Sequence, residues 1–302
     1  MKLRAPLSIK KELRVVPHRL KAGLKSIVPV NAWPGIRRIV YFGRFFCCPV
    51  CGASVRKLLP GGQDIPVLKE LEVVGGGRLE RDVCPVCFSS SRTRLVYYYL
   101  VRDSELRTGG ELRSVLHFAP ERGIAQWLLH LQSVQYVTAD LAPERYRHAS
   151  PTRIDVTRIQ FPDAQFDLVI CNHVLEHVPD DSLAMREICR VLKPGGRAIL
   201  QVPISQRLTR TFEDPSITDP KDRERVFGQW DHVRVYGSDY TERLRQAGFS
   251  VDIVDPVQHW GIDTVVHLRL NYREKLFIGR KPRHDRTEVS GSLLRAEHGS
   301  DE

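Results

Sequence analysis

Two rhythms of apolar residues alternate along the chain from about residue 114. Short apolar runs at 114–118, at 135–139, near Ile154 and at Phe166–Cys171 have the pattern of strands buried on both faces. Between them apolar residues recur every three or four positions, as in helices packed on a sheet: one stretch covers about 121–131, and another places Ala184, Ile188, Val191 and Leu192 on one face. Asp180 or Asp181 can cap the second helix, and Pro194-Gly195-Gly196 ends it and turns the chain into a strand at 198–202. A polar insertion runs to about 235, followed by a helix at about 239–247 and strands at 249–254 and 275–278. The alternation predicts an α/β fold with a doubly wound parallel sheet. Such sheets bind ligands outside the carboxyl ends of their strands, so Asn172, His173, Glu176, His177 and Asp180 occupy an edge where chemistry is expected.

The first ninety residues read differently. Ile9, Leu13, Val16, Leu20, Leu24 and Ile27 keep a helical spacing with basic residues between them, broken at Pro17 and weakened at Gly23, which predicts two short amphipathic helices. Segments 71–74 and 78–83, joined by Gly75-Gly76-Gly77, read as a hairpin, and a helix is expected over 91–103. The last stretch, 281–302, is charged and poor in apolar residues, the composition of a disordered tail. These patterns divide the chain into a basic arm (1–46), a cysteine-bearing module (47–90), an α/β domain (91–280, with an insertion at about 204–236) and the tail.

Charge sharpens that division. Residues 1–46 hold eleven Lys or Arg against one acid, Glu12, which equals the net charge of +10 for all 302 residues. The arm therefore suits an anionic membrane surface or an acidic partner, whereas the remainder is balanced and lacks the overall basicity of a nucleic-acid enzyme. No run of about 18 apolar residues is present, and the basic N-terminus has no apolar secretory core. The expectation is a cytoplasmic protein without a transmembrane segment, with peripheral contact at the inner membrane face through the arm.

Cys48-Pro-Val-Cys51 and Cys84-Pro-Val-Cys87 repeat one tetrapeptide, and each turn can direct two sulfurs at one ion. Four thiolates suit tetrahedral Zn²⁺ and leave no open position, so the expected role is structural, in a zinc-ribbon-like module. Cys171 and Cys189 fall on the apolar strand and helix and read as core residues.

Acidic residues close two further strands, Asp140 and Asp155, and a carboxylate there can accept both hydroxyls of a ribose. With VTADL, FDLVICNHVLEHV, EICRVLKPGGRAILQVP and DHVRVYGSDYTERLRQAGF, the chain resembles the class I S-adenosylmethionine-dependent methyltransferases of the type-11-like group over about 112–280. The resemblance implies a seven-stranded Rossmann-like sheet carrying the small N-terminal zinc ribbon, and S-adenosyl-L-methionine as the methyl donor. It assigns Asp140 to the ribose, Leu141 to the adenine face, and Asp155 with Val156 to the adenine edge. Asn172, His173 and Val174 would line the methionine part, and His177 would lie near the departing methyl. The family's glycine-rich first loop is replaced by Phe118-Ala119-Pro120-Glu121-Arg122-Gly123, in which only Gly123 matches a family glycine; Ala119 and Glu121 then imply a shifted loop, or one in which Glu121 contacts the methionine ammonium or another partner.

For the acceptor, no Asp/Asn-Pro-Pro-Tyr/Phe motif follows Cys171, which argues against methylation of base amino groups. His177 and His232 are candidate bases, with Asp231 expected to orient His232, and Arg234 and Tyr236 are candidate acceptor contacts. The leading expectation is O- or N-methylation of a small-molecule or glycan-like acceptor. Two alternatives are a zinc-ribbon RNA methyltransferase, with ribbon and arm gripping RNA, and a non-catalytic zinc-stabilised interaction protein with a degenerate cofactor loop.

Overall fold

A computed structural model describes residues 32–102 and 113–283. The amphipathic pattern before residue 32 and nearly all of the charged tail lie outside these residues. Seven strands form the central sheet: β1 (Arg113–Phe118), β2 (Val134–Asp140), β3 (Thr152–Arg153), β4 (Phe166–Cys171), β5 (Leu192–Ile199), β6 (Ser250–Val254) and β7 (Leu276–Arg280). Their spatial order is β3-β2-β1-β4-β5-β7-β6, with β7 antiparallel to both neighbours and every other pair parallel. The order reverses between β1 and β4, so the crevice outside their carboxyl ends is the switch point of the sheet.

Strand periodicity sorts side chains onto the two faces. Leu116, Val169, Cys171 and Ala198 pack with Ala184, Ile188 and Leu244 on one face, against helices Asp181–Val191 and Tyr240–Gln246. Val115, Leu168, Ile170 and Ile199 pack on the other with Leu95, Ile124, Leu128 and Val265, from helices Ser91–Arg102, Arg122–Leu129 and Ile262–Leu268. Both cores are continuous, as the unbroken apolar runs require.

Asp180 is the N-cap of helix Asp181–Val191, accepting from the Leu183 amide. That helix ends at Val191, and β5 starts at once with Leu192, earlier than the strand expected over 198–202. Gly195 (φ 79°) sits within β5 at its break in register with β4, so Pro194-Gly195-Gly196 bends a strand and does not end the helix.

The expected hairpin across Gly75-Gly76-Gly77 does not form. Val73–Val74 instead pairs with Ile204–Ser205, at the start of the insertion, and Leu79–Val83 pairs with Leu59–Gly61. Both segments find partners elsewhere, because the glycines hold an open loop. Ser205 Oγ donates to Leu71 O (2.6 Å), and Arg207 and Arg273 reach Glu72 at 2.9 and 3.2 Å. The cysteine-bearing module is thereby fastened to the edge of the α/β domain. No helix among the described residues is long and apolar enough to cross a membrane.

Candidate active site

The two CPVC turns repeat in three dimensions. The amide that follows each turn is secured alike: Gly52 N–H donates to Cys48 O (2.8 Å) and Phe88 N–H to Cys84 O (2.9 Å), with Gly52 and Phe88 both left-handed at φ 66° and 63°. The turns bring Cys48 Sγ to 3.7 Å from Cys87 Sγ and Cys51 Sγ to 3.9 Å from Cys84 Sγ, all four within 4.8 Å of one another. Four sulfurs about 2.3 Å from a zinc ion would be about 3.8 Å apart, so donor type and spacing both fit Zn²⁺. Ser89 Oγ lies 3.3 Å from Cys48 Sγ and 3.1 Å from Cys87 Sγ.

Arg94 is fully buried beside this cluster and donates to Ser89 O, Leu268 O and Arg269 O. It ties the module to the α/β domain and has no exposed face for a substrate. Gly123, matched to a cofactor glycine, also serves this contact: a Cβ there would stand 2.5 Å from Val50 Cγ1 in the first CPVC turn. The close approach of that turn, which no local sequence signal announces, accounts for the glycine.

At the β1–β2 side of the switch point, polar groups are paired within the protein. Asp140 accepts from the Ala142 amide and the Tyr146 hydroxyl, each at 2.7 Å. Asp155 accepts from the amide and hydroxyl of Thr157, and the Ile154 amide donates to Asp140 O, which sets the ends of β2 and β3 side by side. Leu141 is 62% exposed beside them, whereas Val156 is buried. After Phe118, Ala119 takes the left-handed conformation (φ 47°) at the family's glycine position. Glu121 then receives His117 Nε2 at 2.7 Å and Asn172 Nδ2 at 3.1 Å, bridging the ends of β1 and β4. Burial opposes ionisation of Glu121, but the His117 contact, Arg92 and Asn172 together keep it below the ordinary carboxyl range.

On the β4–β5 side lies a cavity of about 660 Å³, walled by Gly75-Gly76-Gly77, Arg92, His173, Glu176, His177, Gln229, His232 and Glu274. Five separate parts of the chain meet here. Gly75 (φ 90°) forms the roof, where a Cβ would stand 3.5 Å from both Glu274 Oε1 and His173 Cε1. His173 is itself left-handed (φ 53°) at the end of β4, a strained conformation of the kind that collects at functional sites. Burial pushes its imidazole down to about 4, so the ring is neutral at pH 7. Burial likewise raises the Glu274 carboxyl to about 7.

All the buried side-chain atoms without a hydrogen-bond partner among the described residues lie at this edge: Arg92 Nε, Asn172 Oδ1, His173 Nε2 and both Glu176 carboxylate oxygens. Each such group costs about 1–3 kcal/mol when left unpaired, so this edge is the least satisfied polar region among the described residues.

The insertion supplies a chain of contacts to this cavity. Gln63 Nε2 donates to Gln229 Oε1 (2.9 Å), and Gln229 Nε2 to Asp231 Oδ1 (2.8 Å). Asp231 Oδ2 lies 3.4 Å from His177 Nδ1. Asp231 thus orients His177 and not its neighbour His232, whose Nδ1 faces Phe227 O at 3.4 Å. The two imidazoles meet edge to face, 4.7 Å between centroids.

The other insertion residues singled out from sequence point inward. Arg234 donates to the carbonyls of Leu175 (2.9 Å) and Pro179 (2.8 Å) and locks the turn that carries Glu176 and His177, while Tyr236 is fully buried with its hydroxyl on Asp181. Neither lines the cavity described above. Val174 packs against the core. Sequence reasoning passed over Glu274, Gln63 and Gln229. Glu274 carried a usable signal: it immediately precedes the last strand, and an antiparallel last strand begins at the ligand-binding edge.

Residues 121–200 match a family described as a methyltransferase domain. The chain is 36% identical over 127 residues to a demethylmenaquinone methyltransferase of Mycobacterium marinum, covering 39% of this chain and 54% of that protein. It is 31% identical over 110 residues to a 27-O-demethylrifamycin SV methyltransferase of Amycolatopsis mediterranei, covering 35% and 37%. Among solved structures, a phosphoethanolamine N-methyltransferase 2 of Haemonchus contortus in complex with S-adenosyl-L-methionine aligns over 62% of this chain and 53% of its own, at 12% identity and a TM-score of 0.38. The chain spans about a third to a half of the length of these curated relatives.

Proposed function

We infer from its class I S-adenosylmethionine-dependent methyltransferase domain that this chain methylates a small acceptor held in the cavity between the cysteine-bearing module and the end of β4. S-adenosylmethionine supplies, when bound, an electrophilic methyl group on a sulfonium. Asp140 and Leu141, with Asp155 and Val156, are positioned for the adenosine part. In this reading Phe118, Ala119, Glu121, Gly123, Asn172 and His173 serve the methionine part, with Val174 packed on the core behind them. The residues fit the group through Asn172: its Nδ2 is spent on Glu121, and its buried Oδ1 has no partner, a lone pair available to an ammonium.

The observation that carries this reading is the gathering of unpartnered buried polar atoms near the carboxyl edge of β4, those of Arg92, His173 and Glu176 belonging to residues that line an open cavity of small-molecule size. Arg92, Glu274 and the Gly75 roof surround the acceptor, whose chemistry is polar and compact, as in a small hydroxylated or glycan-like molecule. Glu176, His177 and His232 form the face that activates it, with Asp231 orienting His177. Cys48, Cys51, Cys84 and Cys87 hold a structural Zn²⁺ that keeps the module folded against this site.

Calorimetry with S-adenosylhomocysteine on the zinc-loaded chain tests the reading. Saturable binding near one per chain, weakened in Asp140→Asn, supports it; no binding to the folded protein overturns it. Salt-dependent binding of RNA with no turnover of small acceptors would move the acceptor assignment to nucleic acid.

A further inference from the structure

We propose that Glu176, His177 and His232 bind a divalent transition-metal ion at the wall of the acceptor cavity, separate from the four-cysteine site. The proposal rests on the reading above for its purpose, since the ion would hold the acceptor, but its evidence is the local geometry.

One ligand atom from each of the three residues lies within 4.8 Å of the others. Ligands with bonds of about 2.1 Å sit about 3.4 Å apart on a tetrahedron, a separation within reach of small side-chain rotations. Two imidazoles and one carboxylate form a donor set suited to zinc, iron or manganese, and three protein ligands leave positions open. All three residues line the cavity, so those positions face the space where the acceptor is placed.

The surroundings are those of a prepared site. Glu176 is 1% exposed, and neither of its oxygens has a hydrogen-bond partner, although His173 Nδ1 stands 3.1 Å from Oε1. A cation would satisfy what the protein leaves unsatisfied. Each histidine has a backbone acceptor at Nδ1: Asp231 O for His177 (3.3 Å) and Phe227 O for His232 (3.4 Å). With the proton on Nδ1, Nε2 keeps its lone pair, the arrangement in which imidazoles ligate metals. Behind His177, Asp231 is fixed by Gln229 and Gln229 by Gln63, a line of outer contacts that orients a ligand ring. Arg234 fixes the turn itself. A free general base would need one oriented histidine; the structure orients two, and buries a carboxylate within 4.8 Å of both. The ligand class is an oxygen donor, such as an acceptor hydroxyl with a second oxygen beside it, able to occupy open positions on a hard or borderline ion.

The test uses the full chain with its cysteine site loaded with zinc, titrated with Mn²⁺ and followed by the loss of the free-ion electron paramagnetic resonance signal. A parallel Co²⁺ titration is read in the visible, where a histidine–carboxylate site lacks the thiolate charge-transfer bands of a cysteine site. Expected are about one equivalent of either ion and a loss of affinity of ~10-fold to ~100-fold or more in Glu176→Gln and His177→Asn. No binding of either ion, or binding unchanged in both variants, overturns the proposal. Should Glu176→Gln fail to fold, His177→Asn, at a partly exposed position, carries the test. S-adenosylhomocysteine calorimetry on the same samples separates the two failures: nucleoside binding without metal removes this site alone, and metal binding without the nucleoside removes the methyltransferase reading.

Discussion

The two sides of the switch point treat their polar groups in opposite ways. Beside β1 and β2, Asp140 is satisfied by Tyr146 and Ala142, Asp155 by Thr157, and Glu121 by His117 and Asn172. Beside β4 and β5, Glu176, His173 and Arg92 keep buried atoms bare, and Glu274 is buried to the point where its carboxyl titrates near neutrality. The first side resembles ordinary, locally stable structure that a ligand can borrow from. The second is costly by itself, at about 1–3 kcal/mol for each unpaired group, and requires a surrounding framework to hold it.

The framework is where the comparison breaks most visibly. The β4–β5 side takes its roof, Gly75-Gly76-Gly77, and Gln63 from the cysteine-bearing module, whereas the β1–β2 side meets that module through the Gly123–Val50 approach beside its first loop. Cys84→Ser should release the module, given that zinc ligation in small domains contributes about 10 kcal/mol or more of folding free energy. Hydrogen exchange should then accelerate across 47–90 while β1, β2 and β4 stay protected. Equal acceleration in β1 would show that the two sides are one cooperative unit.

A smaller effect separates the sides by sign. Glu274 has its carboxyl raised from 4.5 to about 7, so the folded state holds that proton more tightly than the unfolded chain does. The resulting stability is complete below the unfolded value and is lost as pH rises through about 7, an effect on the order of 3 kcal/mol. Thermal unfolding followed from pH 5 to pH 8.5 should show the decline, and Glu274→Gln should flatten it and be the more stable protein at the alkaline end. A variant less stable than the parent at pH 8.5 would mean that the carboxylate is paired there, and that the cost assigned to this side is absent.

Asp140→Asn should do the reverse. It weakens an existing pair with Tyr146 and removes a charged acceptor for a ribose hydroxyl, so S-adenosylhomocysteine affinity should fall by about 1.5–3 kcal/mol, roughly 10-fold to 150-fold. Calorimetry reads this directly. Unchanged affinity would show that Tyr146 keeps the carboxylate engaged and that the ribose is met elsewhere.

The two sides also differ in how far they could be read from the chain. The strand Phe166–Cys171 was legible because burial along its length leaves a nearly continuous apolar run, those at 114–118 and 135–139 from shorter apolar stretches, and Asp140 because it closes one of them. The cysteine quartet was legible from its repeated tetrapeptide. The cavity was not. Its walls come from residues near 63, 75, 92, 176, 231 and 274, and nothing local in Gln63 or Gly75 states which distant strand end they will cover. The same limit explains why the close approach of Val50 to Gly123 could not be foreseen, and why Asp231 was paired with the adjacent His232 and not with His177. Adjacency in sequence is a poor guide where the backbone turns between two side chains.

The smallest test concerns the line from module to site. Gln63 touches no proposed ligand; it fixes Gln229, which fixes Asp231, which faces His177. The Gln63–Gln229 bond is exposed, so its loss in Gln63→Ala should cost folding stability less than about 1 kcal/mol. If the line only holds the insertion in place, turnover should follow stability and stay near the parent's. If it sets the angle of the His177 ring, the maximal rate should fall by a few-fold to ~10-fold with the Michaelis constant for S-adenosylmethionine unchanged, because the β1–β2 side is untouched. Gln229→Glu offers the complementary reading: it replaces the amide that donates to Asp231 with a like charge, so it should lower the rate further at neutral pH and recover part of the loss as the added carboxyl is protonated. A rate in Gln63→Ala equal to the parent's would confine the module's influence to the glycine roof, and the dependence of the β4–β5 side on the module would then be one of shape alone.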